Sequence, residues 1–154
     1  KKSKVQQVLH QLKYKNNPDV GTTTGRWFGE ALRSSSFSKA DYLLPVPLHP
    51  KKQQQRGYNQ SAKIAEGMSS ALGMPVEEDL LYRKSETKTQ TKKDKGDRWQ
   101  NVEGIFGIKN PERFKGKRII LVDDVVTTGS TTKQAYDLFI NKGYKDVEVL
   151  SLAR

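Results

Sequence analysis

Asp123 and Asp124 stand side by side after the apolar run Ile119-Ile120-Leu121-Val122, and the segment Thr127-Thr128-Gly129-Ser130-Thr131 lies just beyond them. Small hydroxylated residues around one glycine, at the start of a helix, present backbone N–H groups and hydroxyl donors to an anion. Gly129 lets a phosphate come close to the main chain. Carboxylates repel a phosphate set beside them, so the acids are expected to hold sugar hydroxyls or a Mg²⁺ ion. The unit therefore reads as a phosphate grip at one end and a diol or metal grip at the other. An acidic strand end with a plain helix cap at Ser130 or Thr131 would need only one acid and one hydroxyl. Two adjacent acids and Thr-Thr-Gly-Ser-Thr exceed that need. The pattern has neither the Gly-Lys-Ser/Thr of a Walker A loop nor the glycine spacing of G-x-G-x-x-G.

The elements around this unit must carry it to an edge. Arg118 to Val122 is a β-branched apolar run suited to a central parallel strand covered on both faces. A helix is expected from Ser130 to Asn141, ending at Gly143, and a strand over Asp146–Leu152. Strand, helix and strand in this order form a right-handed βαβ unit, and ligands of such sheets bind beyond the carboxyl ends of the strands. Upstream, Ser3 caps a helix bearing Val5, Val8, Leu9 and Leu12. Pro18-Asp19 opens a second helix through Trp27, Phe28, Ala31 and Leu32 toward Ser34, weakened by the glycines at 21 and 25. Asp41 to Pro47 reads as a short strand ended by prolines. A polar, basic stretch from His49 to Tyr58 follows. Asn59 caps a helix with Ala62, Ala65, Met68 and Leu72 on one face, closed by Gly73. Leu80–Tyr82 and Val102–Ile108 are short strand candidates. Between them, about 83–101 is rich in Lys, Thr and Gln and almost free of apolar residues, so it reads as a long loop or two-stranded flap.

Composition bounds the rest. The 154 residues suit a single domain over 1–154 with a real core. The chain does not begin with Met, which fits a fragment. No apolar run approaches the ~18 residues of a membrane span, and no signal core follows Lys1-Lys2-Ser3-Lys4. Without cysteine, disulfides and thiolate metal sites are excluded, no zinc is expected in this chain, and a cytoplasmic setting is expected. The net charge of +11 suits either a solvated lysine surface or attraction to polyanions. Taken singly, Lys51, Lys52, Lys88, Lys92 and Lys93 read as solubilising charge; Arg56 and one or two of the cations in 83–101 are expected to touch ligand. His10 reads as a surface residue, and Tyr58 and Trp99 as packing residues more than base-stacking ones.

The whole segment Ile119–Thr131 resembles the signature by which type I phosphoribosyltransferases bind 5-phosphoribosyl-1-pyrophosphate (PRPP). Leu44-Pro45-Val46-Pro47-Leu48-His49-Pro50, Arg56-Gly57-Tyr58-Asn59-Gln60 and, around the flap, Arg83, Thr87, Gln90, Arg98, Asn101 and Phe106 are similar to the ComF family, including its ComFC and GntX groups. Many such proteins carry a four-cysteine zinc module ahead of this domain, and it is absent from this sequence. The resemblance implies an α/β type I phosphoribosyltransferase fold, a central parallel sheet flanked by helices, with a flexible flap. It implies that Asp123 and Asp124 bind ribose hydroxyls and Mg²⁺ through PRPP, and that Thr127, Thr128, Gly129, Ser130 and Thr131 take the 5′-phosphate. Pyrophosphate is expected near His49 and Pro50, on Lys51, Lys52 and Arg56, with Lys88, Gln90 and Arg98 closing from the flap. The implied reaction moves ribose 5-phosphate to an unidentified nucleobase or amine and releases pyrophosphate. Competence and DNA uptake are the implied setting, with single-stranded DNA and a homodimer as partners to test; a PRPP-responsive DNA-binding factor without turnover is the alternative.

Overall fold

The computed structural model describes residues 10, 11, 17–84 and 104–153. The expected helix carrying Val5, Val8, Leu9 and Leu12, the body of the flap with Lys88, Gln90 and Arg98, and Trp99 lie outside the described residues. In chain order the elements are α1 (Pro18–Leu32), β1 (Tyr42–Pro45), α2 (Pro50–Arg56), α3 (Gln60–Leu72), β2 (Leu81–Arg83), β3 (Phe106–Ile108), β4 (Ile119–Val125), α4 (Ser130–Asn141) and β5 (Val147–Ala153). Short 3-10 turns at Ser36–Lys39 and Pro111–Phe114 join them.

β4 is the middle strand of a parallel sheet in the order β1-β4-β5, with Leu44 opposite Leu121 and Leu121 opposite Val149. Val76 adds a parallel bridge to Leu43 on the far side of β1. A strand hydrogen-bonded on both edges and covered on both faces has no wet side, which is why Ile119–Val122 is apolar without alternation. All four residues have 0% exposure. Ile119 and Leu121 pack with Ala135, Phe139, Leu44 and Phe106, whereas Ile120 and Val122 pack with Ile64, Ala65 and Met68 of α3. The alternating side chains of one strand thus feed two cores. β2 and β3 pair antiparallel, Leu81 opposite Ile108, at the base of the flap region.

The structure extends the sequence reading in three places. α1 runs unbroken through its glycines because they are the contact surface with α3. A Cβ on Gly25 would lie 2.1 Å from the Ile64 carbonyl oxygen, and one on Gly67 would lie 2.0 Å from that of Thr22. The propensity penalty of glycine, roughly 1 kcal/mol per residue, is outweighed by backbone-to-backbone packing that no side chain would permit. Trp27 points away from this seam and is 64% exposed, while Phe28 and Leu32 pack inward. The basic stretch after His49 is not irregular: it forms α2, a helix with no buried residue among its seven. Proline at its first turn, the His49 ring nitrogen accepting from the Lys51 N–H at 3.2 Å, and Gly57 at φ 76° define its ends in place of an apolar face.

Candidate functional site

β4 extends past its buried half and delivers both acids to the carboxyl end of the sheet. Asp123 is still paired with Ser151 of β5, and Val126 closes the ladder by donating to the Ala153 carbonyl at 3.0 Å. The chain then turns through Thr127 and Thr128 to Gly129, which adopts φ 76° and precedes the first turn of α4. That left-handed angle is easy for glycine alone. No side chain caps α4 from this position. Neither Ser130 nor Thr131 serves as the cap; the Thr128 hydroxyl accepts from the Ser130 N–H at 3.4 Å. The Thr128 and Ser130 hydroxyls face each other at 3.1 Å, and the amides of the first turn share the loop with them.

Asp123 is held from three directions. The Thr132 hydroxyl of α4 donates to Oδ2 at 2.6 Å, the Ser61 hydroxyl of α3 reaches Oδ1 at 3.3 Å, and the Asp124 amide donates to Oδ1 at 2.9 Å. Ser61 and Thr132 are themselves 2% and 5% exposed. Burial pushes the Asp123 carboxyl above its ordinary value of 3.8; the Thr132 hydrogen bond pulls it back in part, and the Asp124 charge raises it again. Asp124 accepts from the Val125 amide at 2.8 Å.

These residues open into one cavity of about 200 Å³. Its walls are Val46 to His49 after β1, Lys52 and Arg56 of α2, Arg83 at the end of β2, and residues 123–132. The two acids, all five loop residues, Lys52 and Arg56, drawn from distant stretches of sequence, therefore share a single space. Lys51 does not line it. Lys52 and Arg56 are four apart and share a helix face, whereas Lys51 lies off that face and is exposed. His49 joins the wall as well as ending α2. Three contributors went unassigned in the sequence: Ser61 and Thr132, whose hydroxyls look like ordinary helix positions, and Arg83. Arg83 sits 5.8 Å from the centroid of the Phe106 ring across the β2–β3 pair; the sequence marked it only as one of the residues that carry the ComF resemblance, with no ligand role.

The cavity lining combines cations (Lys52, Arg56 and Arg83), two acids (Asp123 and Asp124) and an amide- and hydroxyl-rich turn (residues 127–131). Residues 59–154 match the model of the phosphoribosyl transferase domain family. The chain is 30% identical to competence protein F of Haemophilus influenzae over 96% of its own length and 66% of that protein's. It is 30% identical to competence protein ComFC of Bacillus subtilis, over 90% of this chain and 55% of that one. It thus spans roughly two thirds or less of the length of these relatives. The fold is similar to glutamine phosphoribosylpyrophosphate amidotransferase from B. subtilis, with a TM-score of 0.63 at 22% identity, over 93% of this chain and 30% of that one. No helix among the described residues is long and apolar enough to cross a membrane. The chain is a ComF-type member of the phosphoribosyl transferase domain family, with the α/β fold of type I phosphoribosyltransferases.

Proposed function

We propose that this chain binds PRPP with Mg²⁺ in the cavity at the end of β4 and transfers ribose 5-phosphate to a nitrogen acceptor. The observation that supports it is the convergence of Asp123, Asp124, residues 127–131, Lys52 and Arg56 on one space. In this reading the 5′-phosphate rests on the amides and hydroxyls of 127–131, and Asp123 and Asp124 take the ribose hydroxyls. The pyrophosphate lies toward Lys52 and Arg56.

Among the described residues no three His, Cys, Asp or Glu side chains converge on one point. Two adjacent carboxylates are too few ligands for Mg²⁺ alone, but they suit an ion that arrives with PRPP oxygens in its shell. Asp123 and Asp124 would hold it, and it would neutralise charge on the departing pyrophosphate.

The transfer breaks the C1–O bond, whose electron pair leaves on the pyrophosphate oxygen. The acceptor nitrogen's lone pair forms the C1–N bond, and its surplus proton passes to solvent. Positive charge grows on the ribose ring as the bond breaks. The acidic pair, fixed in a partly buried corner, stabilises that charge, and the cationic wall stabilises the opposite charge on the leaving group. The acceptor is a nucleobase or an amine.

Calorimetry with PRPP and Mg²⁺ tests the binding, and pyrophosphate release across a panel of nucleobases and amines tests the transfer. Asp123→Asn/Asp124→Asn is expected to weaken PRPP severely; equal affinity in the double variant ends this reading. A second reading, a DNA-binding competence factor that uses the same ligand site for regulation, is supported by the +11 charge and by the names of the relatives. A salt series with single-stranded DNA distinguishes it: affinity falling steeply with salt supports DNA binding, and none at low salt removes it.

A further inference from the structure

The segment from Arg56 to Gln60 folds back on itself beside the cavity. Arg56 ends α2, Gly57 turns in the left-handed region, and Asn59 precedes α3. Asn59 is used at both ends of its amide. Its Oδ1 accepts from the Ser61 N–H at 3.0 Å, and its Nδ2 donates to the Val46 carbonyl at 3.1 Å. Val46 is part of the cavity wall and is tied in turn to β4, donating to the Val122 carbonyl at 2.9 Å. Gln60 is 1% exposed, and its Oε1 accepts from Arg56 Nη1 at 2.9 Å.

Gln60 is a poor choice for stability alone. Its Nε2 is buried and has no hydrogen-bond partner among the described residues. A buried donor left unmade is costly, and an apolar side chain of the same shape would remove that cost. The amide cannot simply be turned over, because guanidinium offers donors only and needs the carbonyl end. What the glutamine provides is therefore the single bond to Arg56. That bond matters because α2 buries no residue, so packing does not fix the arginine. A long cationic side chain left free would lose its rotamer freedom on meeting ligand, which weakens binding.

We propose that Gln60 and Asn59 are positioning residues that pre-set Arg56 and the Val46 wall for the pyrophosphate end of the ligand. The inference rests on the PRPP reading of the cavity and assigns a role within it. Gln60 holds the guanidinium fork, Asn59 holds the wall it faces, and neither touches the phosphate itself. Gln60 acts on one end of the cavity through Arg56, whereas Asn59 also caps the turn of α3 that carries Ser61 to Asp123.

The test uses the full chain, inorganic pyrophosphate and ribose 5-phosphate, with calorimetry and thermal unfolding. Gln60→Met is expected to weaken pyrophosphate about tenfold, in line with loss of one charge-assisted hydrogen bond. Ribose 5-phosphate affinity is expected to stay within twofold, and Tm to stay level or rise. In an Arg56→Ala background the same substitution is expected to have no further effect on pyrophosphate. A Tm that falls, equal losses for both ligands, or additive losses in the Arg56→Ala background would each assign Gln60 to the fold and overturn the proposal. Unchanged pyrophosphate affinity in Gln60→Met, or wild type that takes ribose 5-phosphate but no pyrophosphate, sinks the positioning role and leaves the sugar-phosphate site standing. Wild type that binds neither ligand removes the PRPP reading underneath it.

Discussion

Replacing Asp123 by Asn separates charge from shape at the acidic corner. The asparagine keeps an oxygen at Oδ1, so the 2.9 Å bond from the Asp124 amide and the 3.3 Å contact with Ser61 persist. Its new NH₂ group meets the Thr132 oxygen at the 2.6 Å position, where the hydroxyl can rotate from donor to acceptor. All three contacts survive, and one partly buried negative charge disappears. Because burial raises the Asp123 carboxyl above 3.8, the fold favours the uncharged form. The contribution of that form is complete below 3.8 and is lost as pH rises through the folded value. At neutral pH the ionised carboxylate is thus a cost, and Asp123→Asn should be as stable as the wild type or more so. Binding moves the other way. A hydrogen bond from a ribose hydroxyl to a carboxylate is worth about 1.5–3 kcal/mol, so PRPP should weaken by about ten- to a hundredfold. Differential scanning calorimetry and titration calorimetry on the same preparation decide the matter. A variant that unfolds several degrees earlier, or one that binds PRPP as well as wild type, refutes the reasoning.

The pH dependence has a related signature. PRPP affinity of the wild type should fall on acidification at a pH above 3.8, as Asp123 protonates, and that limb should be lost in Asp123→Asn; titrations across pH read it directly. The Tm advantage of Asp123→Asn over wild type should widen as pH is raised from the acid side toward 7. Gly67→Ala puts a methyl 2.0 Å from the Thr22 carbonyl and forces α1 from α3. A loss of about 1–3 kcal/mol or more is expected in urea unfolding, and a midpoint equal to wild type contradicts the seam. Asn59→Ala removes both the α3 cap and the tie to Val46. A loss of about 1–2 kcal/mol is expected, measured the same way.

Much of the site was legible because its signals are local. An apolar run, two acids and a hydroxyl-rich turn before a helix lie within thirteen consecutive residues, and β4 and α4 form where that pattern puts them. Asn59 and Gly73 bracket α3 for the same reason. What was not legible depends on partners distant in sequence. α2 has only Lys, Gln and Arg after its proline, so no apolar period reveals it; its end residues, His49 and Gly57, carried the signal instead. The glycines of α1 weakened the helix signal in the sequence, and the opposing backbone of α3 explains them. Ser61 and Thr132 become site residues only because two helices from different parts of the chain approach one carboxylate. Trp27 shares α1 with core residues, yet the narrow glycine seam turns it outward.

The bonds to Asp123 come from helices on both sides of the sheet, so the acidic corner is clamped between the two cores and cannot slide without opening one of them. Adjustment to any ligand would then fall to α2, the cavity-lining helix that buries no residue. On the proposed PRPP reading the cavity would work like a vise with one stationary jaw: the sugar would seat against the clamped acidic corner, and the pyrophosphate would meet the face of α2 that carries Lys52 and Arg56.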